Sequence, residues 1–148
     1  MIPFIYASLD KSVYQANAAV LVNGTTVFTV RGGPIQIISI GAVCITANGA
    51  TATTLQYSAD GTDGAATTIT GASASLANVT AGTIVASVPG TLATAPAVYA
   101  NGVGIAGTVG IIVPAGIITN VVATGPTTGT WRQFIRYIPL SPESDVSG

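Results

Sequence analysis

The sequence predicts an all-β protein, a jelly-roll-like antiparallel β-sandwich with an N-terminal arm. Its 148 residues suffice for one domain with a full core. From residue 25 onward, short segments rich in Val, Ile and Thr alternate with turns of Gly, Pro, Asn and Asp. About eight strands at this spacing are typical of a sandwich or small barrel. The long irregular connections favour a jelly roll over an up-and-down barrel.

Residues 1–24 are predicted to form an N-terminal arm or a short helix. Phe4, Tyr6 and Tyr14 are scattered through this region without a clear period. A short helix capped by Ser8 is one possibility, and an extended arm is the other. An apolar, aromatic arm on a neutral protein is expected to lie on another surface.

Residues 25–140 are predicted to form the sandwich. The segment 25–31 places Phe28 and Val30 on one face of a strand. The segment 35–45 is apolar at both parities, which is typical of a strand covered on both sides. The alternation in 83–88 groups Ile84, Ala86 and Val88. The other predicted strands are 51–57, 66–70, 108–113, 116–122 and 131–140.

Turn residues separate these strands. Asn48–Gly49 is a strong hairpin signal, and Gly32–Pro34 and residues 58–64 also have turn composition. Residues 141–148, SPESDVSG, are predicted to be a polar, disordered C-terminal tail.

The charge content is low for a globular domain. Hydrophobic residues make up 49% and charged residues 6%, and residues 64–131 carry no charge. With a net charge of −1 there is no basic field to attract nucleic acid. A surface this neutral favours association, so a second copy of the chain is the first partner to expect.

Membrane insertion and secretion are not indicated. The uncharged run Val98–Val122 is rich in Gly and is broken at Pro114–Gly116, which predicts two short strands instead of a membrane helix. The first residues lack the basic start of a secretion signal. The single cysteine, Cys44, lies in an apolar strand and is predicted to be a buried structural thiol, consistent with synthesis in a reducing cytoplasm.

Catalysis is not expected, and no cofactor or metal site is predicted. The chain has no His, which removes the commonest general base and metal ligand. Asp60 and Asp63 could ligate Ca²⁺ with loop carbonyls. Two carboxylates supply few of the 6–8 oxygens that calcium takes, and Asp-Gly is ordinary turn chemistry.

The strand 131–140 has two unlike faces. Trp131, Ile135 and Tyr137 are predicted to fill the core, with Gln133 toward a rim. The other face mixes arginines with apolar side chains, a composition found at protein interfaces. We therefore predict that a subunit or capsid interface contains Phe4, Tyr6, Tyr14, Arg31, Arg132, Phe134, Arg136 and Ile138.

Three segments resemble a family of small virion structural proteins of tailed bacteriophages. They are TVFTVRGGPIQIISIGAV, VPAGIIT and TTGTWRQFIRYIPLSP, and the matching positions are Phe28–Gly33, Pro114–Ile117 and Thr128–Leu140. The resemblance covers roughly residues 25–142.

The resemblance implies a jelly-roll-like capsid decoration, or cement, protein. Such a protein would act as a homotrimer that binds the major capsid protein on the outside of the head, after synthesis in the bacterial cytoplasm. The alternative is a head-fibre, tail or neck component. A receptor- or glycan-binding module of this kind would expose aromatics or a loop pocket, at Trp131 or Tyr99 for example.

Overall fold

The structure, a computed structural model, describes residues 10–62, 64–87, 104–105 and 110–148. These residues form strands and turns and contain no helix. The strands are β1 (Lys11–Tyr14), β2 (Thr26–Arg31), β3 (Ile35–Cys44), β4 (Thr54–Gly61), β5 (Thr67–Thr68), β6 (Ile84–Ser87), β7 (Gly104–Ile105), β8 (Ile111–Val113), β9 (Gly116–Ala123), β10 (Trp131–Pro139) and β11 (Asp145–Ser147).

The strands form two antiparallel sheets packed together, which confirms the predicted all-β sandwich. The front sheet has the order β1-β10-β3-β8-β7, with β6 also pairing with β3. The back sheet has the order β11-β2-β9-β4-β5. Consecutive strands β1 to β4 therefore alternate between the sheets.

The longest strand, β3, shows why its sequence is apolar at both parities. Ile35 and Ile37 point into the core, and so do Ile40 and Ala42, although the two pairs differ in parity. The register with β10 shifts between Arg136 and Tyr137. This bulge reverses which alternate residues of β3 face the core. Apart from Gly41, the residues on the outer side of β3 are only half-buried, so the described part of the chain does not cover that side in full.

The core lies between the inner faces of the sheets. Phe28 and Val30 share the buried face of β2, and Val27 is buried as well, because the register of β2 with β9 shifts between Thr26 and Phe28. Across the core, the Tyr57 hydroxyl donates a 3.1 Å hydrogen bond to Gln133 Oε1. Gln133 is thus a buried bridge between the sheets and not a rim residue.

The described part of the predicted N-terminal arm belongs to the sandwich. Residues 10–24 are extended, not helical, and β1 pairs with β10 along its whole length. Ala19 N and O bond the backbone of Trp131, and Leu21 is 1% exposed. Its amide donates to Thr127 Oγ1 at 2.8 Å. The sandwich thus starts before residue 25, because β10 has a free edge for this segment to pair with.

The C-terminal segment is ordered, so the prediction of disorder was wrong. β11 pairs with β2, and Val146 is 5% exposed against the core. Ser144 is buried and its hydroxyl donates to the Pro34 carbonyl at 2.8 Å. Val146 and the buried Ser144 hydroxyl anchor residues 141–148 to the sandwich, although this segment is mostly polar in sequence.

Asn48–Gly49 does not form the predicted hairpin, because β3 and β4 belong to different sheets. The Asn48 side chain is 5% exposed, and its Oδ1 accepts from the amides of Thr128 and Gly129 at 2.8 and 3.0 Å. Its Nδ2 donates to the Leu76 carbonyl at 2.8 Å. Asn48 therefore joins three loops at one end of the sandwich.

The apolar run that ends at Val122 is strand, as predicted, where the structure describes it. β8 and β9 flank Pro114–Ala115, and the turn passes from the front to the back sheet. No helix long and apolar enough to cross a membrane occurs among the described residues.

Candidate assembly surface

The two faces of β10 are confirmed. Trp131, Gln133, Ile135 and Tyr137 are each at most 5% exposed. The alternate residues point to the outer face of the front sheet, where Arg132, Phe134 and Ile138 are half-buried and Arg136 is exposed. The strand thus contributes half of its side chains to the core and half to one outer surface.

Neighbouring strands extend that surface with apolar side chains. Tyr14 lies opposite Phe134 and is 48% exposed. Val43 lies opposite Arg132, and Ile84 lies opposite Val43 with 64% of its surface exposed. We call Tyr14, Val43, Ile84, Arg132 and Phe134 the front patch.

Gly41 lies beside the Phe134 ring in the front patch. A Cβ added to Gly41 would lie 3.0 Å from Phe134 Cζ and would also strike the backbone of Val85 and Ala86. The close approach of β6 to β3 at this point requires glycine. The Phe134 ring therefore lies next to Gly41 and covers it.

Arg136 is neutralised within the chain. Its Nε donates to both carboxylate oxygens of Asp10, at 3.0 and 2.9 Å, and its Nη2 also contacts Asp10 Oδ2. The hydrogen bond from Arg136 lowers the pKa of Asp10, and the same bond raises the pKa of Arg136. Both side chains are about half exposed, so the pair contributes little stability.

Arg132 has no such partner. Its guanidinium lies 5.7 Å from the centroid of the Tyr14 ring, within the range of a cation–π contact. Its Nε is buried without a hydrogen-bond partner, and no carboxylate pairs with it among the described residues. Arg132 is therefore a fixed, uncompensated charge inside an apolar patch.

The remaining predicted interface residues are not all brought together. Arg31 is exposed on the back sheet opposite Asp145, away from the front patch. Phe4 and Tyr6 lie outside the described residues, as does Asp63. Ile138 shares the outer face of β10 but lies toward the opposite end of the strand from Arg132.

The outer face of the back sheet is more polar. It presents mainly hydroxyl and amide side chains, with Ile117 and Val121 among them. The others on this face include Thr26, Thr29, Thr54, Gln56, Thr68, Thr119 and Ser147. Such a face is solvated by its own side chains, so the front sheet is the better candidate for a covered surface.

Ile84 and Val43 were missed as surface residues by the sequence prediction. The alternation of 83–88 grouped Ile84, Ala86 and Val88 on one face without assigning that face, and in the structure Val85 packs against the core while Ile84 is exposed. Val88 lies outside the described residues. No signal within the segment distinguishes the faces, since Ile and Val are equally suited to a core.

Other chemistry is sparse in the described part of the chain. No group of three or more His, Cys, Asp or Glu could hold a metal there. Cys44 is buried and donates to the Thr46 carbonyl, and burial raises the pKa of its thiol despite a backbone hydrogen bond from Asn48.

A cavity of about 280 Å³ lies beside β4 and β6. Its polar groups are already engaged: Thr70 Oγ1 accepts from the Tyr57 amide at 2.9 Å, and Ser73 Oγ accepts from the Leu55 amide at 3.0 Å. The cavity thus offers few free polar groups to a ligand.

No protein-family model, no curated protein and no solved structure matches this chain. The fold defines the chain as a two-sheet antiparallel sandwich.

Proposed function

We propose that the chain is a capsid decoration, or cement, protein of a tailed bacteriophage. In this role it assembles with copies of itself through the outer face of the front sheet, and the oligomer binds the outside of the head. The observation that carries the proposal is the front patch, with Ile84 64% and Tyr14 48% exposed beside a fixed arginine.

Burial of that patch supplies the driving force for assembly. Each square ångström of apolar surface removed from water contributes about 25 cal/mol. Aromatic residues and arginine are the types enriched at the centres of protein interfaces. An oligomer that engages several equivalent capsid sites also gains from effective concentration, so each contact can be weak.

The proposal includes a jelly-roll topology, which is a finer statement than two packed sheets. The antiparallel pairs β1–β10, β2–β9 and β3–β8 are nested along the chain, which supports it. The strands β1, β10, β3 and β8 would form one half of the roll, and β2, β9, β4 and β5 the other.

No catalytic step and no cofactor enter the proposed role. The protein acts by contact area: it binds where capsid subunits meet and resists the outward pressure of the packaged genome. The location that follows is the outer surface of the virion, with the major capsid protein as partner.

The direct test is incubation with undecorated capsids of the phage that encodes the chain. We expect binding that saturates and raises the melting temperature of the capsids. Heat-unfolded protein at the same concentration is the control. Capsids that neither bind the protein nor melt at a higher temperature would refute the decoration role.

A head-fibre, tail or neck component is the alternative. The cavity beside β4 and β6 is the one observation that favours a ligand-binding module. Against it, Trp131 is 1% exposed and cannot stack on a sugar, and Tyr99 lies outside the described residues. Quantitative mass spectrometry of purified virions separates the two: hundreds of copies indicate decoration, and a handful indicates a vertex or fibre.

A further inference from the structure

Arg132 lacks a carboxylate partner among the described residues of its own chain. Among the described carboxylates, only Asp10 lies on the outer face of the front sheet, and Arg136 already holds it through two oxygens. A fixed arginine in an apolar patch is favourable in an assembly only if it meets an acceptor there, because an unpaired buried charge is costly.

The other described carboxylates lie at the far end of the sandwich. Asp145 is opposite Arg31, next to the Gly32–Gly33 turn, and Glu143 packs its backbone against Gly32. Arg132 is opposite Val43, which is eight residues beyond the start of β3 at Ile35, roughly 26 Å at the usual rise of a strand.

Asp60 differs from the other acids at that end. It lies on the back sheet directly opposite Ile117, which is 36% exposed. Asp145 lies opposite Arg31 in the strand register and its Oδ1 accepts a 3.1 Å hydrogen bond from the Tyr137 hydroxyl, whereas no cation pairs with Asp60 among the described residues. Thr29 lies opposite Ile117 on the other side. We call Asp60, Ile117 and Thr29 the back patch: one free carboxylate beside one exposed aliphatic side chain.

We propose that the front patch of one copy packs on the back patch of a second copy, with an ion pair between Arg132 and Asp60. The front patch contains an unpaired cation among aromatic side chains, and the back patch contains an unpaired anion beside Ile117. The inference rests on the assembly role proposed above for the front sheet, but not on capsid binding.

The contact is heterologous, because two different surfaces meet. A face-to-face pairing of two front patches would be isologous and would offer Arg132 no free carboxylate. Heterologous contacts generate closed rings or open filaments, and the smallest closed ring has three members. The inference therefore gives a physical reason for a trimer or larger ring and excludes a two-fold dimer.

Charge exchange tests the pair. Sedimentation velocity over a concentration series is run on the wild type, Arg132→Glu, Asp60→Arg and the double variant. We expect each single reversal to weaken self-association at least about tenfold, and the double variant to recover most of the loss. Reversals that leave the assembly unchanged, or a double variant no better than the singles, would overturn the proposal.

Control variants distinguish a failure of the Arg132–Asp60 contact from a failure of self-assembly. Glu143→Arg reverses an exposed acid outside the back patch and should assemble like the wild type; a loss equal to that of Asp60→Arg would overturn the assignment of Asp60. Fluorescence of the buried Trp131 reports folding, and Arg132→Gln and Asp60→Asn provide milder variants if a reversal unfolds. These should weaken assembly in the same direction, and unchanged assembly in both would overturn the pair. A wild type that stays monomeric at every concentration would refute the assembly role itself, whatever capsid binding shows.

Discussion

Removal of the Asn48 side chain should destabilise the protein strongly. In Asn48→Ala the buried amide of Gly129 loses its partner, and the carbonyl of buried Leu76 keeps only a 3.5 Å bond from the Val79 amide. Thr128 also loses two bonds, which its amide and its hydroxyl donate to Asn48 Oδ1, but it is exposed and water can replace Asn48 there. A buried polar group left unpaired costs about 1–3 kcal/mol, so the unpaired Gly129 amide and the weakly bonded Leu76 carbonyl together give a loss of about 3 kcal/mol. A loss of that size lowers Tm by roughly 6–12 °C in a domain of this length.

Urea unfolding measures this loss, with the fluorescence of Trp131, the chain's only tryptophan, as the probe. The matched control is Asn17→Ala, since Asn17 is exposed and its side chain makes no hydrogen bond in the described structure. Both variants are compared at one protein concentration, because assembly shifts apparent stability. If Asn48→Ala costs less than about 1 kcal/mol, or no more than the control, the loop-joining role of Asn48 is wrong.

Three further outcomes are expected. Tyr57→Phe leaves Gln133 Oε1 buried without its donor and should cost about 1–3 kcal/mol, and adding Gln133→Met should cost less than the sum of the single losses; additive urea results would contradict the bridge. The thiol of Cys44 should resist a disulfide reagent in the native protein, since burial raises its pKa, and should react on unfolding; fast native labelling would contradict its burial. The pKa of Asp10 is lowered in the folded state from its ordinary 3.8. The ion pair with Arg136 therefore stabilises the protein above pH 3.8, and this stabilisation is lost as the pH falls through the lowered pKa. A stability difference between wild type and Asp10→Asn that persists in strong acid would contradict this role of the ion pair.

Local sequence pattern was enough to place the central strands. The two faces of residues 131–140 follow from a period of two in which aromatics and Ile alternate with arginines. Leu55 and Tyr57, which have the same parity in the predicted strand 51–57, are likewise both buried. In these strands a side chain's parity decides its environment.

Sequence alternation did not predict strand formation or burial where these depend on pairing with distant segments. β1 and β11 are strands because β10 and β2 have free edges, which neither segment's own sequence reveals. Asn48–Gly49 carries a hairpin signal, yet Asn48 is used as a buried hydrogen-bonding group between loops. A single bulge reverses the inward parity of β3, so alternation alone could not show which of its residues stay outside.

The sequence predicted only part of the candidate surface, because that surface also depends on pairing between distant segments. Tyr14, Arg132 and Phe134 were predicted, and they lie together. Arg31 was predicted with them but lies on the back sheet, and Ile84 was missed. A surface built from four strands depends on register between distant segments, which no single segment encodes.

The central claim is that the outer face of the front sheet is exposed in the monomer and covered in the assembly. Its most direct test is the sedimentation mass of the wild type beside Ile84→Asp, with Thr26→Asp on the back sheet as the control. Ile84 is the most exposed large apolar residue described in the front patch, and a carboxylate there would be buried without a cation dedicated to it. We predict a ring of three or more subunits for the wild type and for Thr26→Asp, and a monomer for Ile84→Asp. A monomeric wild type, or an Ile84→Asp variant with the wild-type mass, would contradict the claim.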